Sequence, residues 1–409
     1  MSRFAAGSLG SIVVTAFVAF LPFEDSILQN TGLGFFGSSL SLLPLCLMLL
    51  AYPGWARNRY FLCILGVTIL CSVVGLLLNP ELVGTAIGRG IRFFIIWMTF
   101  FACLFWFRRW HDTFTTTHAY LLMAILGMSI LMELATHEFL IGTSVFHANI
   151  SGNMRPRGFS GESSQFGYQI VVGFLFCGWL LRKRVGFLLI AVAVSFFSGS
   201  KGSLACLATS MFLAVVWNSK GKITKAAVGV VAVPLVILVF NVFLIDKFLI
   251  DLEDYTSIST RLTLTILAVQ SFVLNPFGYG MTGFATIFAT NGPKAIAFLE
   301  GYGMSGLGFA EVLEIFDPTE TKNLGMKSLF LEMATIYGVF GIYLIGKAAR
   351  SAVSYFNKES DIVGLTLTFF IILSNLFFVS PVAAYLTPMV IGVVLGRAQV
   401  AKEIAEDIK

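Results

Sequence analysis

Arg155-Pro-Arg-Gly-Phe-Ser-Gly-Glu-Ser-Ser-Gln-Phe166 is a polar, glycine-bearing run in a chain that is otherwise mostly hydrocarbon. It holds two arginines, one glutamate and three serines, and an apolar helical stretch begins directly after it. Charge set beside a membrane-crossing segment is costly and marks a functional position by default. The plain alternative is a solvated loop whose arginines touch lipid head groups. The decision between these readings lies in the rest of the chain.

Outward from this stretch the composition is that of a membrane protein. Of 409 residues 57% are hydrophobic and 12% charged, and the mean hydropathy is +0.87. Soluble domains carry about 25% charged residues. A helix crosses a bilayer with about 20 apolar residues, within a range of roughly 17–25. By that measure there are about 12 candidate spans, at 9–24, 34–52, 60–79, 90–107, 118–137, 166–181, 185–199, 202–218, 226–246, 327–346, 361–380 and 382–397. The expected fold is an all-α polytopic membrane protein, a single integral membrane domain over 1–409. The first apolar run is read as a retained span: no small-residue cleavage site follows it, and Leu21-Pro22-Phe23-Glu24 has the character of a helix end. Cys46, Cys63, Cys71, Cys103, Cys177 and Cys206 all lie in apolar runs without ligand or redox spacing and read as small buried hydrophobes.

The basic residues order the spans. With a cytoplasmic N-terminus, the inside segments hold Arg57 and Arg59; Arg108 and Arg109; Arg182, Lys183 and Arg184; Lys220, Lys222 and Lys225; Lys347, Arg350 and Lys358; and Arg397, Lys402 and Lys409 in the tail. The short outside turns at 25–33 and near Pro381 have no lysine or arginine. This is the positive-inside pattern, and it puts both termini in the cytoplasm. Two large outside loops remain, at about 138–165 and 247–326. The second is too long for a connecting turn. It opens acidic, with Asp246, Asp251, Glu253 and Asp254, and then reads as a helix from Arg261 that ends at Pro276. We place a half-submerged interfacial helix at 260–275. Gly278-Tyr-Gly-Met-Thr-Gly283 recurs as Gly301-Tyr-Gly-Met-Ser-Gly306. Neither copy follows a strand, so the glycines read as tight turns and not as a dinucleotide site.

Chemistry is sparse. The histidines, His111, His118, His137 and His147, have no acidic or cysteine cluster at metal-ligand spacing. No Walker motif and no nucleophile motif with its partners is present. The outer side does hold arginines. Arg89 and Arg92, at i and i+3, share a helix face at the outer end of the fourth span. Arg155 and Arg157 lie in the first large loop, and Arg261 opens the helix of the second. Arginine grips phosphate with a planar fork and keeps its charge, so this set points to an anionic, phosphate-bearing ligand. Snorkelling to the interface is the competing account, and for Arg89 alone it is the better one. Lys201, in Ser198-Gly-Ser-Lys-Gly-Ser203, adds a cation in a tight outer turn, where a solvated lysine is an equal reading.

These residues resemble the O-antigen ligase and O-antigen polymerase superfamily. Arg157-Gly-Phe-Ser-Gly-Glu162-Ser163 is similar to its outer-loop arginine motif before a span. Ser200-Lys201-Gly202 is similar to its Ser-Arg or Ser-Lys turn two spans later. Arg261 running into Asn275-Pro-Phe-Gly-Tyr-Gly280 resembles its arginine-led helix and turn. Lys327-Ser-Leu-Phe-Leu-Glu332, followed by Tyr337-Gly-Val-Phe-Gly341, resembles the start of the span after the long loop. The likeness covers roughly 150–345. The ligase branch carries a histidine late in the long loop. This chain has none after His147 and reads Asn323-Leu-Gly-Met-Lys-Ser328 there, which favours the polymerase branch.

The resemblance implies a metal-independent membrane glycosyltransferase of the bacterial inner membrane, with no cofactor. It would polymerise undecaprenyl-diphosphate-linked repeat units into O-antigen or exopolysaccharide at the periplasmic face. An O-antigen ligase, which passes the lipid-linked glycan to lipid A–core or another acceptor, is the alternative. The expected catalytic residues are Arg157, Arg261 and Glu162, the last as base or sugar ligand. Arg89, Arg92, Arg155 and Lys201 are expected to hold the substrate diphosphate. A chain-length regulator and a flippase are the expected protein partners, with membrane lipid around the chain and no role for nucleic acid.

Overall fold

A computed structural model of the protein describes residues 2–23, 41–51, 54–55, 58–109, 116–136, 156–160, 163–182, 184–219, 221, 257–302, 304, 308–316, 325–381 and 385–407. Among them there are fifteen α-helices and no strand. In chain order they are α1 (Ser2–Phe20), α2 (Leu42–Ala51), α3 (Arg59–Leu78), α4 (Val83–Arg109), α5 (Thr116–Thr136), α6 (Ser163–Leu180), α7 (Arg184–Phe197), α8 (Lys201–Asn218), α9 (Ser257–Leu274), α10 (Gly283–Gly301), α11 (Ala310–Phe316), α12 (Leu329–Tyr337), α13 (Val339–Lys358), α14 (Ile362–Phe377) and α15 (Leu386–Asp407). Among the described residues, three helices are long and apolar enough to cross a membrane: Arg59–Leu78, Pro80–Arg108 and Thr116–Ala135.

Helix starts follow ordinary capping chemistry. The Asn58 side chain accepts from the Tyr60 and Phe61 N–H groups at 3.0 and 3.2 Å and opens α3. Ser200, Ser328 and Asp361 cap α8, α12 and α14 in the same way. The bundle is apolar outside as well as inside. Leu43, Leu50, Leu70, Leu77, Leu131 and Leu189 are all more than half exposed. An apolar surface of that extent is what hydrocarbon, not water, accommodates.

At the centre α6 is buried along nearly its whole length, between α5, α7 and α14. Its polar side chain Tyr168 is satisfied inside the core. Asn375 Nδ2 donates to the Tyr168 hydroxyl at 3.0 Å, and the Thr387 hydroxyl donates to Asn375 Oδ1 at 3.1 Å. One end of the bundle gathers basic residues. Arg108 pairs with Glu403, Arg397 lies over the rings of Phe107 and Trp179, and Lys347 lies over Tyr60 next to Arg59.

Several expectations change. The tenth span, expected unbroken over 327–346, is broken at Gly338, which takes φ +59° and separates α12 from α13. The break is imposed by a neighbour: the Val339 N–H donates to the Pro276 carbonyl at 2.7 Å, and a Cβ on Gly338 would stand 2.1 Å from that oxygen. The fourth helix begins at Val83, not 90, so Arg89 and Arg92 lie inside the helix and not at its tip. The helix expected at 260–275 is present as α9, and its Thr263, Leu264 and Leu267 are buried among α10, α11 and α12 while Val269, Val273 and Leu274 are exposed. Cys46 and Cys63 lie on the outer surface; Cys71, Cys103, Cys177 and Cys206 are buried. The expected span at 226–246 and the acidic start of the second loop lie outside the described residues.

Candidate functional site

The described cations of the motifs lie at the end of the bundle opposite the basic one, and each is held there by its own local framework. Arg157 sits in a turn, Pro156–Ser160, closed by the Ser160 N–H donating to the Arg157 carbonyl at 2.8 Å. The turn rests on a buried carboxylate. Glu133, 1% exposed near the end of α5, accepts the Arg157 and Gly158 N–H groups on Oε1, at 3.0 and 2.7 Å. Gly158 is required. Its φ is +54°, and a Cβ would stand 2.3 Å from the Phe166 ring. Phe159 packs on Phe23 with ring centroids 4.5 Å apart.

Lys201 is the first residue of α8. The turn before it is folded by its serines: Ser198 Oγ donates to the Ser195 carbonyl at 2.8 Å, and Ser200 Oγ accepts from the Ser203 N–H at 3.3 Å. The first turn of α6 presses directly on it. A Cβ on Gly167 would stand 2.8 Å from Ser198 Oγ, Ser200 Cβ and Ser203 Oγ. The Arg157 turn and the Lys201 turn are thus the two ends of one packed unit, joined through Phe166 and Gly167.

Phe378, just past the end of α14, links the first turn of α8 to Arg261. Its ring lies 3.3 Å from where a Gly202 Cβ would be, and the Arg261 guanidinium carbon is 5.8 Å from its centroid. The start of α9 is fixed by the next residue back. Thr260 Oγ1 donates to Glu311 Oε2 at 2.9 Å, and the other Glu311 oxygen takes the Lys327 ammonium.

Arg89 has a different environment. Its Nη1 lies 2.7 Å from Glu332 Oε1 in a buried ion pair, and its guanidinium carbon lies 3.9 Å from the centroid of the Phe284 ring. Gly325 closes over the pair; a Cβ there would stand 2.8 Å from Arg89 Nη2 and 3.1 Å from Glu332 Oε2. Arg92 lies on α4 about one turn beyond Arg89. Glu332 is placed by the start of α12, where Ser328 Oγ donates to the Asn375 and Leu376 carbonyls at 2.8 and 2.7 Å and the Leu329 N–H donates to the Val379 carbonyl at 2.7 Å.

Of the residues singled out in the sequence, Arg261 packs on Phe378 against the first turn of α8, which Lys201 opens, the Arg157 turn joins that turn through α6, and Arg89 is engaged by Glu332. Glu162 and Arg155 lie outside the described residues. Glu311 and Phe378 carried no sequence signal of their own. Glu133 alone had a cue, as a carboxylate inside an apolar helix. The first glycine repeat is a tight turn, as expected. Gly278 and Gly280 have φ of +86° and +75°, and the turn docks by backbone bonds, with the Tyr279 N–H to the Thr335 carbonyl at 2.9 Å and the Met281 N–H to the Cys71 carbonyl at 3.0 Å. The second copy is described only in part. Among the described residues no three His, Cys, Asp or Glu gather in a metal-binding group.

No protein-family model matches the chain. The chain is 29% identical over 404 residues to a Klebsiella pneumoniae protein named "Uncharacterized 49.5 kDa protein in cps region". The alignment spans 95% of this chain and 92% of that one. The chain is therefore similar, over nearly its full length, to a protein of that region.

Proposed function

We propose that the protein is an inner-membrane glycosyltransferase that polymerises undecaprenyl-diphosphate-linked repeat units into a surface polysaccharide. The observation that carries this is the packing of the Arg261 guanidinium and of the first turn of α8, which Lys201 opens, on the Phe378 ring, with the Arg157 turn joined to that turn through α6. The cps-region relative supports a polysaccharide role, and the name of that region points to capsule. The helical bundle with an apolar exterior supports a membrane setting, and the basic residues collected at the other end support an orientation with that end cytoplasmic. About twelve crossings with both termini inside complete the proposed topology.

The reaction needs little beyond placed charge. A hydroxyl oxygen of the incoming lipid-linked unit attacks the anomeric carbon of the growing glycan. The bond from that carbon to the diphosphate oxygen breaks, and undecaprenyl diphosphate leaves with the electron pair. The hydroxyl proton passes to a base, which we assign to Glu162. Negative charge builds on the leaving diphosphate, where fixed guanidinium donors stabilise it; one such donor is typically worth about 10²–10³ in rate. Arg157 and Arg261 fill that role, with Lys201, Arg92 and Arg155 on the diphosphate and Arg89 holding its flank through Glu332.

The test is gel analysis of glycan from a deletion strain complemented with the wild-type chain. The proposal expects single repeat units without the protein and a ladder with it. Full-length polymer left unattached in the deletion strain identifies a ligase instead. An unchanged ladder removes both readings.

A further inference from the structure

The Arg157 turn is anchored from inside the bundle, and the anchor has a recognisable chemistry. Successive backbone N–H groups that point the same way through a left-handed residue form an anion-binding concavity. Arg157 and Gly158 are such a pair: Gly158 has φ +54°, and both N–H groups meet a single oxygen, Glu133 Oε1, at 3.0 and 2.7 Å. Both the carboxylate and Gly158 are buried, whereas Arg157 itself is partly exposed. Substrate therefore has no route to this concavity. Its occupant belongs to the chain. An ionisable group in the interior of an apolar helix is retained for a task with a named partner, and here the partner is the backbone of the motif.

We propose that Glu133 is the positioning residue of the Arg157 motif: its carboxylate oxygen holds the Arg157 and Gly158 amides and so fixes where the guanidinium emerges at the site. Glu133 does not touch substrate. It acts through Arg157, and the inference rests on the reading of Arg157 as a donor to the leaving diphosphate. Three features of the turn fit this role. Phe159 is clamped on Phe23, a side chain on Gly158 would strike the Phe166 ring, and Ser160 closes the turn on the Arg157 carbonyl. With the carbonyl side closed and the aromatic side packed, the carboxylate is what fixes the amide side.

The amide oxygen of glutamine can occupy the same place as Glu133 Oε1, whereas alanine leaves both N–H groups without it. The experiment compares Glu133→Gln, Glu133→Ala and Arg157→Ala in the complemented deletion strain, each normalised to protein found in the membrane. Amide hydrogen exchange is read on the 156–160 segment of the purified proteins. The expected result is near wild-type polymer for Glu133→Gln. For Glu133→Ala, polymer falls about 10²-fold, the order that a misplacement of roughly 1 Å costs, and exchange at 156–160 is faster. Wild-type polymer from Glu133→Ala, with Arg157→Ala inactive, overturns the inference and leaves the function standing. Wild-type polymer from Arg157→Ala overturns the reading on which it rests. If Glu133→Ala does not accumulate, Glu133→Gln decides: loss of polymer at normal protein level overturns positioning by hydrogen bonds.

Discussion

Arg89 takes a full charge into the interior of the bundle, and Glu332 meets it at 2.7 Å with the Phe284 ring against the guanidinium. Removing one partner of such a pair leaves the other charge buried and uncompensated, which costs about 3–5 kcal/mol, whereas replacing both by apolar side chains is often neutral. Glu332→Ala should therefore lower the thermal unfolding temperature in detergent sharply, and the Arg89→Met/Glu332→Met double variant should recover most of the loss. If the double variant unfolds as early as the single one, the pair is doing something other than charge compensation. This residue also marks a boundary of what sequence can show. As a residue type at a helix end, Arg89 read as a phosphate donor or a snorkelling cation. Its partner lies 243 positions away, and no local pattern announces it. The same holds for Glu133 and Glu311, which hold the Arg157 turn and the Thr260–Lys327 contact without belonging to any motif. Arg157 and Arg261 stand out in the sequence because each opens a patterned polar segment.

Helices were easier to read than the breaks in them. The long runs of α3, α5, α6 and α8 follow from apolar length and from caps such as Asn58 and Ser200. The start of α4 was misplaced by seven residues because Gly84, Gly88 and Arg89 dilute its apolar character, although the backbone there is helical from Val83. The break between α12 and α13 was invisible to an apolar window, since it depends on the backbone of the Asn275–Gly280 turn lying against Gly338. Two glycines, Gly338 just before α13 and Gly346 within it, therefore behave in opposite ways. Gly338→Ala places a Cβ 2.1 Å from the Pro276 carbonyl in a left-handed residue, and should destabilise the protein by several kcal/mol, in the range of a severe packing and strain defect. Gly346 lies in the helix with nothing within 4 Å of its Cβ position, so Gly346→Ala should be neutral or raise stability by up to about 1 kcal/mol. Thermal unfolding of the two purified variants checks this; equal effects would mean the turn does not dock on Gly338.

At the scale of the whole molecule the fold sorts charge by end. Arg108, Arg397, Lys347 and Arg59 collect at one end, and Arg157, Lys201 and Arg261 at the other. In the proposed orientation, alkaline phosphatase joined after Thr136 is active and the same enzyme joined after Arg109 is inactive; the reverse pattern inverts the topology. In that proposed orientation the arginines would face the side where lipid-linked glycans are proposed to be joined, so the central claim is a claim about charge and geometry together. The measurement that tests it most directly uses purified protein in liposomes with undecaprenyl-diphosphate-linked repeat units, comparing the wild-type chain with Arg261→Lys. Lysine keeps the charge and loses the planar fork. The account predicts a glycan ladder from the wild-type chain with one undecaprenyl diphosphate released per linkage, and a rate about 10²–10³ lower for Arg261→Lys. Equal rates for the two proteins, or a ladder formed without release of the diphosphate lipid, would contradict it.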